Sequence, residues 1–313
     1  MRVLVTGAAG FGGQHACREL SAHGHTVIGA DCVARPDDAA VSEWVLLDIC
    51  SAADCEAILR TTRPDACLHM AGIAFVPNAE SAADKVFQVN TLGTLHILDA
   101  AFSINPQMRI LVVTTSEVYG ADGSYSEEEP LREEVPFAPR NLYGISKAAA
   151  DQCALLYAHT KAMHIMTARP SNHTGPGQRA PFVVPAFIER LLELRAHGGG
   201  TIKVGNLESQ RRFLDVRDVV RAYRLLLEKG RAGEAYNIST ATSSRIGSVL
   251  DLLASKLAVK ISTEVEPSYF RPTDATAALD LTKIEADCGW RAQYDLSSTL
   301  DAMLADIGVS ASC

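Results

Sequence analysis

The sequence predicts an α/β fold: a parallel, doubly wound (Rossmann-type) sheet followed by a smaller, mixed α/β lobe. Three observations predict it. The chain opens on a β-branched apolar run that breaks into regularly spaced glycines, and apolar strand-length and helix-length segments then alternate through the first half. Beyond residue 168 the alternation gives way to prolines, glycines and shorter elements. The expected division is 1–168 for the sheet, which also receives part of 205–240, and 169–313 for most of the second lobe.

A length of 313 residues is ample for a large core. The net charge of −8, with no segment that concentrates Lys and Arg, argues against a nucleic-acid partner. No apolar run reaches membrane-spanning length, so no membrane association is expected, and the first residues read as a strand rather than a leader. Eight cysteines are scattered without a Cys-x-x-Cys pair or a Cys/His spacing. They read as reduced thiols of a cytoplasmic protein, with no metal site.

Val3 to Thr6 is the first strand, and Gly7-x-x-Gly10-x-x-Gly13 is the turn after it. Glycines at this spacing permit a sharp turn, close approach of backbone to phosphate, and close packing of helix on sheet. Gly7, Gly10, Phe11 and Gly13 are therefore candidates to cradle the pyrophosphate of a dinucleotide. Gln14 to His23 is the first helix. Thr26 to Ala30 is a second strand ending in Asp31, where an acid accepts from the adenosine ribose hydroxyls. Asp31 favours NAD over NADP, although Arg35 nearby could receive a 2′-phosphate.

Trp44 to Leu47 is a third strand, and Ser51 caps a helix that runs to Arg60. Asp65 to Met70 is a fourth strand. It opens into Ala71 and Gly72, small residues that let the backbone approach the cofactor. His69 reads as a packed strand-end histidine. Ala83 to Phe102 has apolar residues at helical spacing, and Arg109 to Thr114 is a fifth strand. Gly120 to Arg140, with acidic runs at Glu127 to Glu129 and Glu133–Glu134, reads as a solvated loop.

Tyr143-Gly-Ile-Ser-Lys147 starts a helix. A separation of four places the phenol and the ammonium on one face, where the cation is expected to lower the tyrosine pKa. Bringing a phenol from about 10 toward neutrality asks for roughly 4 kcal/mol, and the result is a usable general acid or base.

The glycine turn, Thr114-Thr-Ser-Glu-Val-Tyr-Gly120 and the Tyr143/Lys147 pair together resemble the extended short-chain dehydrogenases/reductases, from Val3 to about Trp290. The resemblance implies that Thr115 orients a substrate oxygen, Tyr143 transfers the proton, and Lys147 tunes Tyr143 and holds the nicotinamide ribose. It places Asp48 and Ile49 at the adenine, Ser116 and Glu117 at the sugar, and matches Asn90-Thr-Leu-Gly-Thr94 to a family element. Arg169-Pro-Ser-Asn172 is similar to a family turn that sets Pro170 beside the nicotinamide and Asn172 beside the sugar and its phosphate. Lys203, Arg211 and Arg271 then offer separated basic groups suited to a diphosphate. The implied substrate is a nucleotide-diphosphate sugar, GDP-linked, whose 4-keto group is reduced. Glu117 could instead act as a base at the carbon next to the keto group, so a 4,6-dehydratase and then a 4-epimerase stand as alternatives. A homodimer through the helices 83–102 and 143–160 is also implied.

Overall fold

The computed structural model describes residues 1–74, 82–120, 128–269 and 276–309. Arg271, Glu127 and Cys313 lie outside the described residues. The central sheet has strands β1 (Arg2–Thr6), β2 (Thr26–Asp31), β3 (Glu43–Leu46), β4 (Ala66–His69), β5 (Arg109–Val113) and β6 (Ile165–Pro170), with a later strand described below. Its helices are α1 (Phe11–Ala22), α2 (Ala52–Thr62), α3 (Ala83–Phe87), α4 (Gly93–Ile104) and α5 (Leu142–Thr160).

Alternation along β1 explains the layers. Val3 and Val5 point into one apolar core with Ala16, Cys17 and Leu20 of α1. Leu4 between them points into the other, with Leu59 of α2 and Ile97 and Leu98 of α4. Successive strand side chains face opposite sides, so a strand covered on both faces is buried along its length. Val3 to Thr6 and the whole of β4 and β6 are buried accordingly.

The second half builds β7 (His173–Thr174), α6 (Val183–Ala196), β8 (Gly200–Val204), β9 (Gln210–Arg211), β10 (Leu214–Asp215) and α7 (Val216–Lys229). It continues with β11 (Ala235–Ile238), β12 (Ser244–Arg245), α8 (Ile246–Lys256), β13 (Ile261–Val265), α9 (Thr282–Cys288) and α10 (Leu296–Asp306). β11 joins the main sheet, giving seven parallel strands in the order β11-β6-β5-β4-β1-β2-β3. α7 carries Val219, Val220 and Tyr223 into the core that holds α1. A separate core of Phe187, Leu191, Ile202, Leu250, Leu253 and Leu304 gathers α6, β8, α8 and α10.

The strand order reverses between β1 and β4. Ligands of doubly wound sheets sit beyond the carboxyl ends of the strands at such a switch point. The five expected strands are all present, within about a residue or two at their ends, and β6 and β11 are additions. The helix expected over 83–102 is interrupted by a π-helical turn at Gln88–Leu92. Glu133 corrects the solvated-loop expectation for 120–140. It is 9 % exposed, its carboxylate accepts from Asn237 N at 2.9 Å, and burial pushes its pKa up. Among the described residues no helix is long and apolar enough to cross a membrane, and no group of three or more His, Cys, Asp or Glu is placed to hold a metal.

Candidate active site

The glycine turn is built for close approach. Gly7 sits at φ +72°, and a Cβ there would lie 2.9 Å from Ala71 N and Cα. A Cβ on Gly13 would lie 2.0 Å from Gly7 O, so α1 can begin at this distance only without a side chain. Gly10 caps α1 with extended backbone and no side-chain oxygen. The first-turn N–H groups of a helix have no intrahelical acceptor, and they carry the positive end of its dipole. That is a cradle for a pyrophosphate, and the residues present fit a dinucleotide. The Phe11 ring stacks on His173 at 6.3 Å and meets His15 edge-on.

Asp31 closes β2, and its carboxylate accepts from Ala9 N at 3.0 Å, which holds it beside the glycine turn. Asp48 is exposed at the end of the neighbouring strand and accepts from Cys50 N at 2.9 Å. Ile49 is buried under Gly93, where a Cβ would lie 2.7 Å from its Cδ1. These three therefore sit beyond the carboxyl ends of adjacent parallel strands.

Thr115 follows β5 and caps a short 3₁₀ turn, Ser116–Tyr119, accepting from Glu117 N at 3.2 Å. Ser116 is buried, and Glu117 is half-buried. Tyr143 and Lys147 stand one turn apart on α5, 8 % and 6 % exposed. Lys147 Nζ donates to Val113 O at 2.9 Å. A Cβ on Gly72 would lie 3.0 Å from that Nζ and 3.0 Å from Asn90 Oδ1. The lysine thus reaches across β5 to the end of β4, beside Ala71 and Gly72.

The electrostatics correct one expectation. Tyr143 is not acidified by Lys147. Burial raises its pKa most, the negative charge of Glu117 raises it further, and hydrogen bonding from Thr115 only partly opposes them. Burial pushes Lys147 down to about 8. The physical reason is direction: the ammonium is bonded to a strand carbonyl rather than to the phenol, and desolvation acts on both groups.

Several residues to which the sequence assigned no role support this constellation. Asn90, fully buried in the π-helical turn, accepts from Ile73 N at 2.8 Å and donates to Ile73 O at 3.1 Å and to Ser146 Oγ at 3.0 Å. It ties the segment after Gly72 to the helix of Tyr143. Asp151, on the same α5 face as Lys147, accepts from Arg169 Nε at 3.0 Å, Arg169 Nη2 at 2.8 Å and Thr114 Oγ1 at 2.9 Å. Asn141 caps α5, accepting from Gly144 N at 2.7 Å. Its signal, an Asn just before a helix, was present in the sequence.

His69 behaves as expected of a packed histidine: it bonds Thr6 Oγ1 at 2.8 Å and Thr94 Oγ1 at 3.1 Å, and burial lowers its pKa to about 3. Pro170 ends β6, and Asn172 leads into β7, its carbonyl accepting from Leu214 N at 2.8 Å. Lys203 is exposed on β8, its ammonium 3.2 Å from Glu266. Arg211 lies on β9 and donates to Gln210 O at 2.9 Å.

Comparison with known proteins extends these observations. The family profile described as GDP-mannose 4,6 dehydratase matches residues 4–303. GDP-6-deoxy-D-mannose reductase of Pseudomonas aeruginosa is 31% identical over 312 residues, covering 97% of this chain and 96% of that one. dTDP-glucose 4,6-dehydratase of Actinoplanes sp. is 30% identical, covering 97% of each. Among solved structures, RMD of Pseudomonas aeruginosa complexed with NADPH superposes with a TM-score of 0.81 at 28% identity, over 98% of this chain and 99% of that one. UDP-glucose 4-epimerase of Thermotoga maritima with UDP-glucose does so at 0.87 and 26%, over 98% and 99%. Reductases, dehydratases and epimerases of nucleotide sugars thus share this frame, and the chain belongs to the GDP-mannose 4,6-dehydratase family of extended short-chain dehydrogenases/reductases, enzymes that use NAD or NADP.

Proposed function

We propose that this chain is a reductase that converts the 4-keto group of a GDP-4-keto-6-deoxy sugar to the 4-hydroxyl, giving a GDP-rhamnose type product, with Tyr143 as proton donor. The observation that carries this reading is the grouping of Thr115, Tyr143 and Lys147 beyond the carboxyl ends of β4 and β5, in a chain 31% identical over 97% of its length to a GDP-6-deoxy-D-mannose reductase. Burial and the charge of Glu117 push the pKa of the phenol up. A protonated Tyr143 can give its proton to an oxygen that is becoming an alkoxide. Thr115 orients the same oxygen. A bound nicotinamide supplies the hydride.

Gly7, Gly10 and Gly13 hold the pyrophosphate, Asp31 the adenosine ribose, Asp48 and Ile49 the adenine, and Lys147 with Ala71, Gly72 and Pro170 the nicotinamide half. The carboxylate of Asp31 beside the glycine turn disfavours a 2′-phosphate, so NAD(H) is the preferred cofactor. Residues 169–313 supply most of the sugar site, with Ser116, Glu117, Asn172, Arg211 and Arg271 toward the sugar and its diphosphate. Exposed Leu92, Phe102, Ile145 and Leu156 on the π-helical turn, α4 and α5 support a homodimer through these helices. Unbridged Cys17, Cys32, Cys50, Cys55, Cys67, Cys153 and Cys288 support a cytoplasmic location.

A second reading, the 4,6-dehydratase, draws on Glu117, a carboxylate close enough to Tyr143 to raise its pKa. The test is incubation with GDP-mannose and with GDP-4-keto-6-deoxy-mannose, each with NADH and NADPH. Cofactor oxidation with the keto sugar, abolished by Tyr143→Phe while cofactor affinity holds, is the expected result. Loss of water from GDP-mannose without net oxidation would replace the reductase by the dehydratase.

A further inference from the structure

We propose that Asn141 is a positioning residue that clamps the Glu117 carboxylate to the start of the helix carrying Tyr143, and so fixes the charge beside the phenol during proton transfer. The inference rests on the proton-transfer role given to Tyr143 above.

Asn141 does two jobs with one side chain. Its Oδ1 accepts from Gly144 N at 2.7 Å, capping α5, and its Nδ2 donates to Glu117 Oε2 at 2.8 Å. The two partners fix the amide's orientation, because reversing it would set N–H against N–H and oxygen against carboxylate. The junction is close on the backbone side as well. A Cβ on Gly144 would lie 3.3 Å from Glu117 O and 3.1 Å from Pro139 Cβ, so the helix start is seated directly on the 3₁₀ turn.

The residue type matters. Asp and Gly also cap helices, but neither has a side-chain donor for a neighbouring carboxylate, and Asp would set two negative charges together. The groups that act on Tyr143 from other elements are Glu117 and Thr115 of the 3₁₀ turn and its cap and Tyr223 of α7, while Lys147, one turn along its own helix, donates to Val113 O. The Glu117 side chain is flexible, so its distance from the phenol depends on what holds its carboxylate, and the Asn141 amide is one such hold.

The decisive variant is Asn141→Gly, which weakens the cap little and removes the donor to Glu117. With NADH and GDP-4-keto-6-deoxy-mannose, kcat is expected to fall about tenfold or more, the scale of a hydrogen bond to a charged group. KM for the sugar should stay within about twofold, the unfolding midpoint should be nearly unchanged, and the alkaline limb of the pH profile should move to lower pH as the carboxylate leaves the phenol. In a Glu117→Gln background the same substitution should add nothing further. Additive losses, an unmoved alkaline limb or a loss that tracks stability would overturn the clamp. A second measurement needs no substrate: the side-chain amide protons of Asn141, followed by NMR, should titrate with Glu117 and cease to do so in Glu117→Gln. If the wild type ignores the keto sugar while this titration is intact, the reductase reading fails and the clamp stands. If the amide is blind to pH, the clamp fails whatever the enzyme turns over.

Discussion

The buried pair of Asp151 and Arg169 is where this fold is most exposed to a single change. Asp151 is 0 % exposed and Arg169 2 % exposed. The carboxylate accepts two hydrogen bonds from the guanidinium and one from Thr114, while Arg169 Nη1 also donates to Tyr119 OH at 2.9 Å and Glu133 O at 2.8 Å. Asp151→Ala leaves a guanidinium in the core without its counter-charge, and breaking such a pair costs about 3–5 kcal/mol. At about 2.1 cal/mol/K per residue, the unfolding entropy of 313 residues is ~0.66 kcal/mol/K, so Tm should fall by roughly 5–8 °C. Thr114, Asp151 and Arg169 stand beside Thr115, one turn beyond Lys147, and before Pro170, so kcat should fall with stability. The assay is thermal unfolding of Asp151→Ala, Arg169→Met and the double variant. Because removing both charges leaves none unpaired, the double variant should lose less than the two singles summed. Strict additivity, or a loss below about 1 kcal/mol for Asp151→Ala, would refute the reasoning.

Three further outcomes follow from the same geometry. Gly13→Ala puts a Cβ 2.0 Å from Gly7 O, so NADH binding, read by fluorescence titration, should be lost while far-UV circular dichroism is kept. Lys147→Met tests the buried ammonium. A lysine depressed from 10.5 to about 8 penalises the folded state fully at pH 7, and the penalty fades as pH rises through 8 toward 10.5. The stability difference between Lys147→Met and the parent should therefore shift toward the parent by roughly 2 kcal/mol between pH 7 and pH 10, and a flat difference would contradict the burial. Leu156→Glu places a charge on an apolar side chain that is 57 % exposed on α5, and should convert the proposed homodimer to monomer in light scattering without loss of fold.

What the sequence disclosed and what it withheld divide along one physical line. Periodicity and glycine spacing are local, and they located the strands, the glycine turn and the Tyr143/Lys147 face. The direction of a charged side chain is not local. Lys147 lies one helical turn from Tyr143, and spacing alone made the ammonium look like the phenol's partner. Its actual partner is Val113 O, on a strand that only the folded sheet brings alongside. The same reason hid Glu133, whose acidic neighbours suggested solvent while its acceptor site is filled by Asn237 N, 104 residues away. Asn141 shows the intermediate case. Its cap was legible as a residue type before a helix, whereas its grip on Glu117 required two elements 24 residues apart to meet. Sequence can thus name the groups of a proton-transfer site, but the protonation state each one holds depends on contacts made across the fold. For Tyr143 those contacts reverse the expected sign: burial and the charge of Glu117 push its pKa up where the spacing of Lys147 suggested that it would fall.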